Sequence, residues 1–181
     1  MSDRVYFIDP GAYKGKATCG AVVLDAVPLV FDASPGEIVR AWSFDGTDLA
    51  AVGRVVREAK NEGARIVIER QFPGRNKGNP LDIEKVIETR VKFETLAAIC
   101  GVPCELVYPA TWQTILSLIP LTPEVGKISK RTKRLIPDTK KRAAALVRLI
   151  YPGVKLGPHE RDAAAMGRWY QVRKRGKEGA S

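Results

Sequence analysis

The chain opens with an apolar run, Val5-Tyr6-Phe7-Ile8, that stops at Asp9-Pro10-Gly11. An unbroken apolar stretch bounded by turn residues predicts a buried strand, here Arg4 to Ile8. Ala17 to Leu24 and Leu29 to Phe31 supply further strands, so the chain begins as an antiparallel meander. The period then changes. Leu49, Val52, Val55, Val56 and Ala59 recur at helical spacing behind a Thr47 cap, and Gly63 ends that helix. Arg65 to Ile68 reads as another buried strand, stopping at Glu69.

Gln71 to Pro80 is a loop by composition, with Pro73, Gly74, Gly78 and Pro80. Asn79-Pro80 joins a capping side chain to a proline at the first helical position. The helix that follows, Leu81 to Cys100, carries two apolar stripes, one with Ile83, Ile87 and Val91, the other with Val86, Phe93, Ala97 and Cys100. A helix apolar on two sides is either buried in the core or shared with a partner subunit. Pro103 to Val107 reads as a short strand and Ala110 to Leu118 as a short helix, whereas Pro120 to Pro137 has no clear period and reads as a loop or irregular insertion. Asp138 caps a helix with Ala143, Leu146, Val147 and Ile150 on one face, and a last helix runs from near Pro158 through Trp169. This order predicts an α/β fold with a mixed central sheet flanked by helices.

At 181 residues and 45% hydrophobic content the chain suits one packed domain. No stretch approaches the ~20 apolar residues of a membrane span, and Met1-Ser2-Asp3-Arg4 leads straight into a strand. A cytoplasmic compartment without membrane contact is the expectation. Three cysteines are sparse, and Cys100 and Cys104 have neither redox-pair nor zinc-site spacing. The net charge of +10 is more informative because it is concentrated. Lys127, Lys130, Arg131, Lys133, Arg134, Lys140, Lys141 and Arg142 face one acid, Asp138, across the same stretch. Arg168, Arg173, Lys174, Arg175 and Lys177 form a second group. Such a field attracts polyanions, nucleic acid or an anionic membrane, although a merely solvated basic face has the same composition.

Two acids stand at strand ends, Asp9 after the first apolar run and Glu69 after Ile66-Val67-Ile68. Carboxylates on neighbouring strands can converge on a hard divalent cation. Singly each has an ordinary explanation, since Asp-Pro-Gly is also common turn chemistry. A third element joins them. His159, the only histidine, and Asp162 lie three apart at the start of the last helix and so point to one side. Ala163, Ala164, Ala165 and Gly167 follow, small enough for that helix to approach the sheet closely. Glu160 is expected to face solvent.

Ile8-Asp9-Pro10-Gly11, then Ile66-Val67-Ile68-Glu69 with Phe72 three residues on, then His159-Glu160-Arg161-Asp162-Ala163-Ala164-Ala165 resemble the three active-site segments of RuvC-type Holliday-junction resolvases in order and spacing. The resemblance covers residues 1–172, leaving 173–181 as a basic tail expected to be disordered. It implies an RNase H-like fold, a homodimer in a bacterial or phage-type context, and cleavage of four-way DNA junctions to 5′-phosphate and 3′-hydroxyl ends. It places Asp9, Glu69, His159 and Asp162 at the positions that hold two Mg²⁺ or Mn²⁺ ions. The family more often has a fourth acid where His159 stands, and a neutral imidazole ligand implies activity falling below about pH 6.5. Lys140 matches a family lysine near the scissile phosphate, or is one more member of a DNA-facing run with Lys141. Phe72 matches an aromatic that stacks at the junction centre, the competing reading being a core residue; Arg70, Arg75 and Lys77 beside it would meet phosphates. Gln113 departs from the pattern, standing where a second lysine is often found, and the 120–137 insertion is longer and more basic than the family leads one to expect. The alternatives are a nuclease of flaps and forks with the same site, and a non-catalytic junction-binding protein.

Overall fold

Alternation along the first strand decides which residues reach which side of the sheet. A computed structural model describes residues 4–13, 16–25, 37–70 and 80–178 of the chain. Strand β1 (Arg4–Tyr13) pairs antiparallel with β2 (Lys16–Asp25), and β2 with β3 (Ile38–Phe44). On its other side β1 pairs in parallel with β4 (Arg65–Glu69), which pairs in parallel with β5 (Cys104–Val107). The five-stranded order is β3-β2-β1-β4-β5.

Val5 and Phe7 of β1, Val22 and Leu24 of β2 and Val67 of β4 point to one face. They pack there against α4 (Thr139–Ile150), α5 (Pro158–Glu178) and a 3₁₀ stretch, Gln113–Leu118, that continues α3 (Pro109–Trp112). Tyr6, Ile8, Ala21, Val23, Ile66 and Ile68 point to the opposite face, against α1 (Leu49–Asn61) and α2 (Pro80–Cys100). Helix α1 buries Ala51, Val52, Val55, Val56 and Ala59, the stripe its spacing predicts. In α2 only Val86, Thr89, Phe93 and Ala97 are buried. Its second apolar stripe remains outside the core, with Ile83 and Ile87 half-buried and Val91 exposed.

Several boundaries differ from the sequence reading. The first strand does not stop at Asp9-Pro10-Gly11 but runs on to Tyr13 beside β2. Its parallel ladder ends at Ile8, so Pro10 sits where the strand has a partner on one side only, a place that tolerates proline. Strand β3 was not foreseen. It is an edge strand with no fully buried residue, and Arg40 and Ser43 interrupt its apolar run of Ile38, Val39, Ala41, Trp42 and Phe44. The cap of α1 is Asp48, whose carboxylate accepts from Ala50 N, rather than Thr47. The segment read as irregular contains a hairpin, β6 (Gly126–Ile128) with β7 (Leu135–Pro137). Helix α5 continues past Trp169 to Glu178, taking in most of the segment expected to be disordered. The expected strand at Leu29 to Phe31 and the loop at 71–79 lie outside the described residues.

Candidate active site

Asp9 follows Val5 and Phe7 on the α4/α5 face, and Glu69 follows Val67 on that same face. Because Ile8 registers with Ile68, Asp9 and Glu69 are the next residues along two adjacent parallel strands. Glu69 is still held in the sheet by β5, opposite Val107, so its backbone is fixed on that side of the strand end. The indole Nε1–H of Trp112 donates to Glu69 Oε2 at 2.5 Å and orients that carboxyl.

The start of α5 descends onto this corner because two glycines leave room for it. A Cβ on Gly11 would lie 1.9 Å from His159 Cε1, and one on Gly20 would lie 2.3 Å from the Glu160 backbone nitrogen. Gly20 is the β2 residue opposite Asp9. Further along, Gly167 packs over Phe7 and Leu24, and Ala163, Ala164 and Ala165 are fully buried. The close approach expected from these small residues is what the structure contains. It seats His159 so that Nδ1 meets Asp9 Oδ2 at 2.8 Å, and it turns Asp162 into the same corner. There the ammonium of Lys140, from the first turn of α4, donates to Asp162 Oδ2. Asp138 caps α4 through a bond from Lys141 N and so fixes where Lys140 emerges.

Asp9, Glu69, His159, Asp162, Lys140 and Gln113 together line an open cavity of about 530 Å³. The three carboxylates are at most 5% exposed. Burial, with the nearby charge of Asp9, pushes the Glu69 carboxyl up to about 8 against the opposing hydrogen bond from Trp112. Asp162 is raised for the same two reasons, opposed by Lys140. The hydrogen bond to Asp9 raises His159, against burial, which favours the neutral ring. Asp162 Oδ1 is buried and has no hydrogen-bond partner among the described residues. Among the described residues no three histidine, cysteine or acidic side chains are drawn into a closed cation cluster. Lys140 and His159 instead lie against two of the acids. Three buried carboxylates that repel one another, one with an unmatched oxygen, still suit a hard divalent cation, which would supply the missing positive charge.

The structure brings Asp9, Glu69, His159, Asp162 and Lys140 together and sets others apart. Lys141 turns its ammonium to the Gly126 carbonyl at 3.1 Å, at the root of the β6–β7 hairpin. The Arg70 guanidinium stacks over Tyr108, a residue of the cavity wall, at 5.2 Å from the ring centroid. Phe72, Arg75 and Lys77 lie outside the described residues. Glu160 corrects the reading that it faces solvent. It is buried, and its Oε1 accepts from the Ser43 hydroxyl of β3, tying the first turn of α5 across the sheet. Gly157 makes the space, since a Cβ there would lie 2.3 Å from Glu160 Oε2. Helical spacing does place Glu160 away from His159 and Asp162, but β2 and β3, not water, occupy that side.

No protein-family profile matches the sequence, and no curated protein matches it by sequence. Solved structures do match. RuvC of Thermus thermophilus in complex with a Holliday junction substrate aligns at 17% identity, over 96% of both chains, with a TM-score of 0.64. A further T. thermophilus RuvC structure aligns over the same shares at 17% identity and a TM-score of 0.61. The chain is thus similar in fold to RuvC along nearly its whole length, and its architecture is RNase H-like α/β.

Proposed function

We propose that this chain is a RuvC-type structure-specific DNA endonuclease, working as a homodimer to resolve four-way junctions by paired phosphodiester hydrolysis. The observation that carries the reading is the convergence of Asp9, Glu69 and Asp162 from three elements in one cavity, with Lys140 beside them. The fold likeness to a protein solved with a Holliday junction substrate, and the net charge of +10, fit a branched DNA partner. The stripe of Ile83, Ile87 and Val91 on α2, half-buried to exposed, is the surface through which a second copy would pack.

Asp9, Glu69 and Asp162 would hold Mg²⁺ or Mn²⁺, two ions per site, with His159 contributing through Nε2 when Nδ1–H is given to Asp9. Bound metal would supply charge neutralisation at the phosphate and an acidified water as nucleophile. The chain's own side chains do the rest. Trp112 and the sheet hold Glu69 still, so little reorganisation is needed when charge builds up. Lys140, released from Asp162, is placed to meet a phosphate oxygen at the cavity mouth. A charged His159 would give up its Nε2 proton before that nitrogen could act as a ligand, which costs more than for a free imidazole because the bond to Asp9 favours the charged ring.

Cleavage of synthetic four-way, forked and linear DNA with Mg²⁺ or Mn²⁺ tests this directly. Paired symmetric nicks in the four-way substrate, giving 5′-phosphate ends, are expected, and Asp9→Asn is expected to bind junctions without cutting. Equal cutting of flaps and forks would widen the substrate to branched DNA. Junction binding with no cutting under either ion would leave a non-catalytic binding protein.

A further inference from the structure

The hairpin at residues 126–137 emerges from the wall of the cavity, because β7 ends at Pro137 and Thr139 and Lys140 of α4 both line it. Lys127, Lys130, Arg131, Lys133 and Arg134 are all exposed on it, and no acid lies between Gly126 and Pro137. Among the described residues, Lys127 is the one hairpin cation paired with Asp138 at the base, at 4.0 Å.

This charge is carried on an ordered scaffold. Ser129 N donates to Arg134 O at 2.9 Å and Lys133 N to Ser129 O at 2.9 Å, while Thr132 N bonds Ser129 Oγ at 3.2 Å. At the root, Asp138 N donates to Val125 O and Lys141 Nζ to Gly126 O, joining hairpin and α4. Gly126 is buried so tightly that a Cβ would lie 2.6 Å from Leu135 Cδ1. Lys133 has φ +54°, among the described residues the one side-chain-bearing position in the left-handed region, where glycine is the relaxed choice. A cation stands where the backbone disfavours any side chain, at the tip of the hairpin.

We propose that the 126–137 hairpin is a DNA-backbone clamp, coupled through Asp138 and Lys141 to the helix that carries Lys140. The inference builds on the nuclease reading by naming a second contact surface for the same substrate. From Asp138 back to Leu135 the strand covers three residues at ~3.3 Å each, so the turn that carries the cations stands on the order of 10 Å from the start of α4. Contacts of this type go to phosphates, adding affinity and register without reading sequence.

Its test is equilibrium binding to a four-way junction and to a linear duplex across a salt series, with chelator present so that cutting plays no part. Two variants remove the turn cations. One changes Lys130, Arg131, Lys133 and Arg134 to Gln; the other replaces 129–134 with Asn-Gly, a two-residue turn that keeps Ile128 opposite Leu135. Each should lose at least about tenfold in affinity at ~0.1 M salt, and the slope of log K against log salt should flatten by about 0.9 per lost phosphate contact. Changing Arg54, Arg57 and Lys60 of α1 to Gln, on the far side of the sheet, should leave the slope nearly unchanged. Lys133→Gly should keep or raise the melting temperature while weakening DNA binding. An unchanged slope in both hairpin variants, or an equal flattening in the α1 variant, overturns the clamp. Unchanged DNA binding would point instead to an acidic protein as the hairpin's partner. A wild-type protein that never cuts, yet loses DNA affinity with its hairpin, would retain the clamp and sink only the nuclease reading.

Discussion

The two faces of the sheet start from the same strands and end in opposite chemistry. Against α1 and α2, the inward residues of β1, β2 and β4 are apolar, the buried Thr89 of α2 returns its hydroxyl to the Lys85 carbonyl, and the charged groups lie at the rim. There Arg40 bonds Tyr6 Oη, Glu58 and Glu62, so charges meet counter-charges in partly solvated positions. Against α4 and α5 the apolar rows of Val5-Phe7 and Val67 run on into Asp9 and Glu69, and Asp162 and Glu160 arrive from above. One face ends its polar groups in matched pairs. The other buries acids with too little positive charge to satisfy them. Both faces carry a buried apolar core, whereas the buried acids described gather on the second, and strand parity sorts the sheet residues between them.

The sharpest way to break this contrast is Asp9→Asn. Single-turnover cleavage should fall by at least about 10²–10³-fold, with junction affinity retained and with no loss of metal-free stability, since a repelling charge is removed. A variant that unfolds would show that the acid face is structural as well.

The matching change on the other face is Phe93→Ala in α2. It should cost about 3–5 kcal/mol in urea unfolding and leave the cleavage rate per folded molecule unaltered. A selective loss of activity without loss of stability would mean that the two faces are not separable.

Proton uptake gives a smaller effect. Folded Glu69 holds its proton to about 8, against an ordinary value of 4.5 in the unfolded chain. The folded chain therefore binds more protons across that window, and metal-free stability should fall as pH rises through it, by an amount on the order of a few kcal/mol. His159, also raised, adds stability below about pH 6.5 that disappears as pH climbs through its folded value, so both groups act in the same direction. Thermal melts in chelator from pH 5 to 8.5 check this. Glu69→Gln should flatten the curve, and Mg²⁺ should restore stability at the alkaline end of the wild type; a wild-type curve that rises with pH contradicts the picture.

The smallest effect belongs to the tether between β3 and α5. Ser43→Ala leaves the Glu160 carboxyl buried without its hydroxyl partner, a cost of about 1–3 kcal/mol. Cleavage should drop several-fold through displacement of His159 and Asp162, and Ser43→Thr should recover it. Equal activity in both variants would make Glu160 a packing residue only.

How much of this was legible in the sequence depends on whether the signal is local. Asp9 and Glu69 could be found because each closes an apolar run, and His159 with Asp162 because three residues on a helix share a side. The mixed sheet and the small-residue face of α5 were readable for the same reason. Glu160 was not, since its burial depends on Gly20, Ser43 and Gly157, which are far apart in sequence and become neighbours only in the fold. Strand β3 was hidden by its half-exposed edge position, and Thr47 lost the cap to Asp48 by one residue. The hairpin at 126–137 escaped because its strands are three residues long, too short for any period to show.

The bond between His159 and Asp9 spans 150 residues of chain. At a synthesis rate of about 5–20 residues per second, Asp9 waits roughly 8–30 s before its partners on α5 are made. Strands β1, β2 and β4 can pair in that interval, but the cavity has no third wall until the last helix described settles over Gly11 and Gly20. Whatever chemistry the pocket performs has to wait until that helix has been made and has settled onto the sheet.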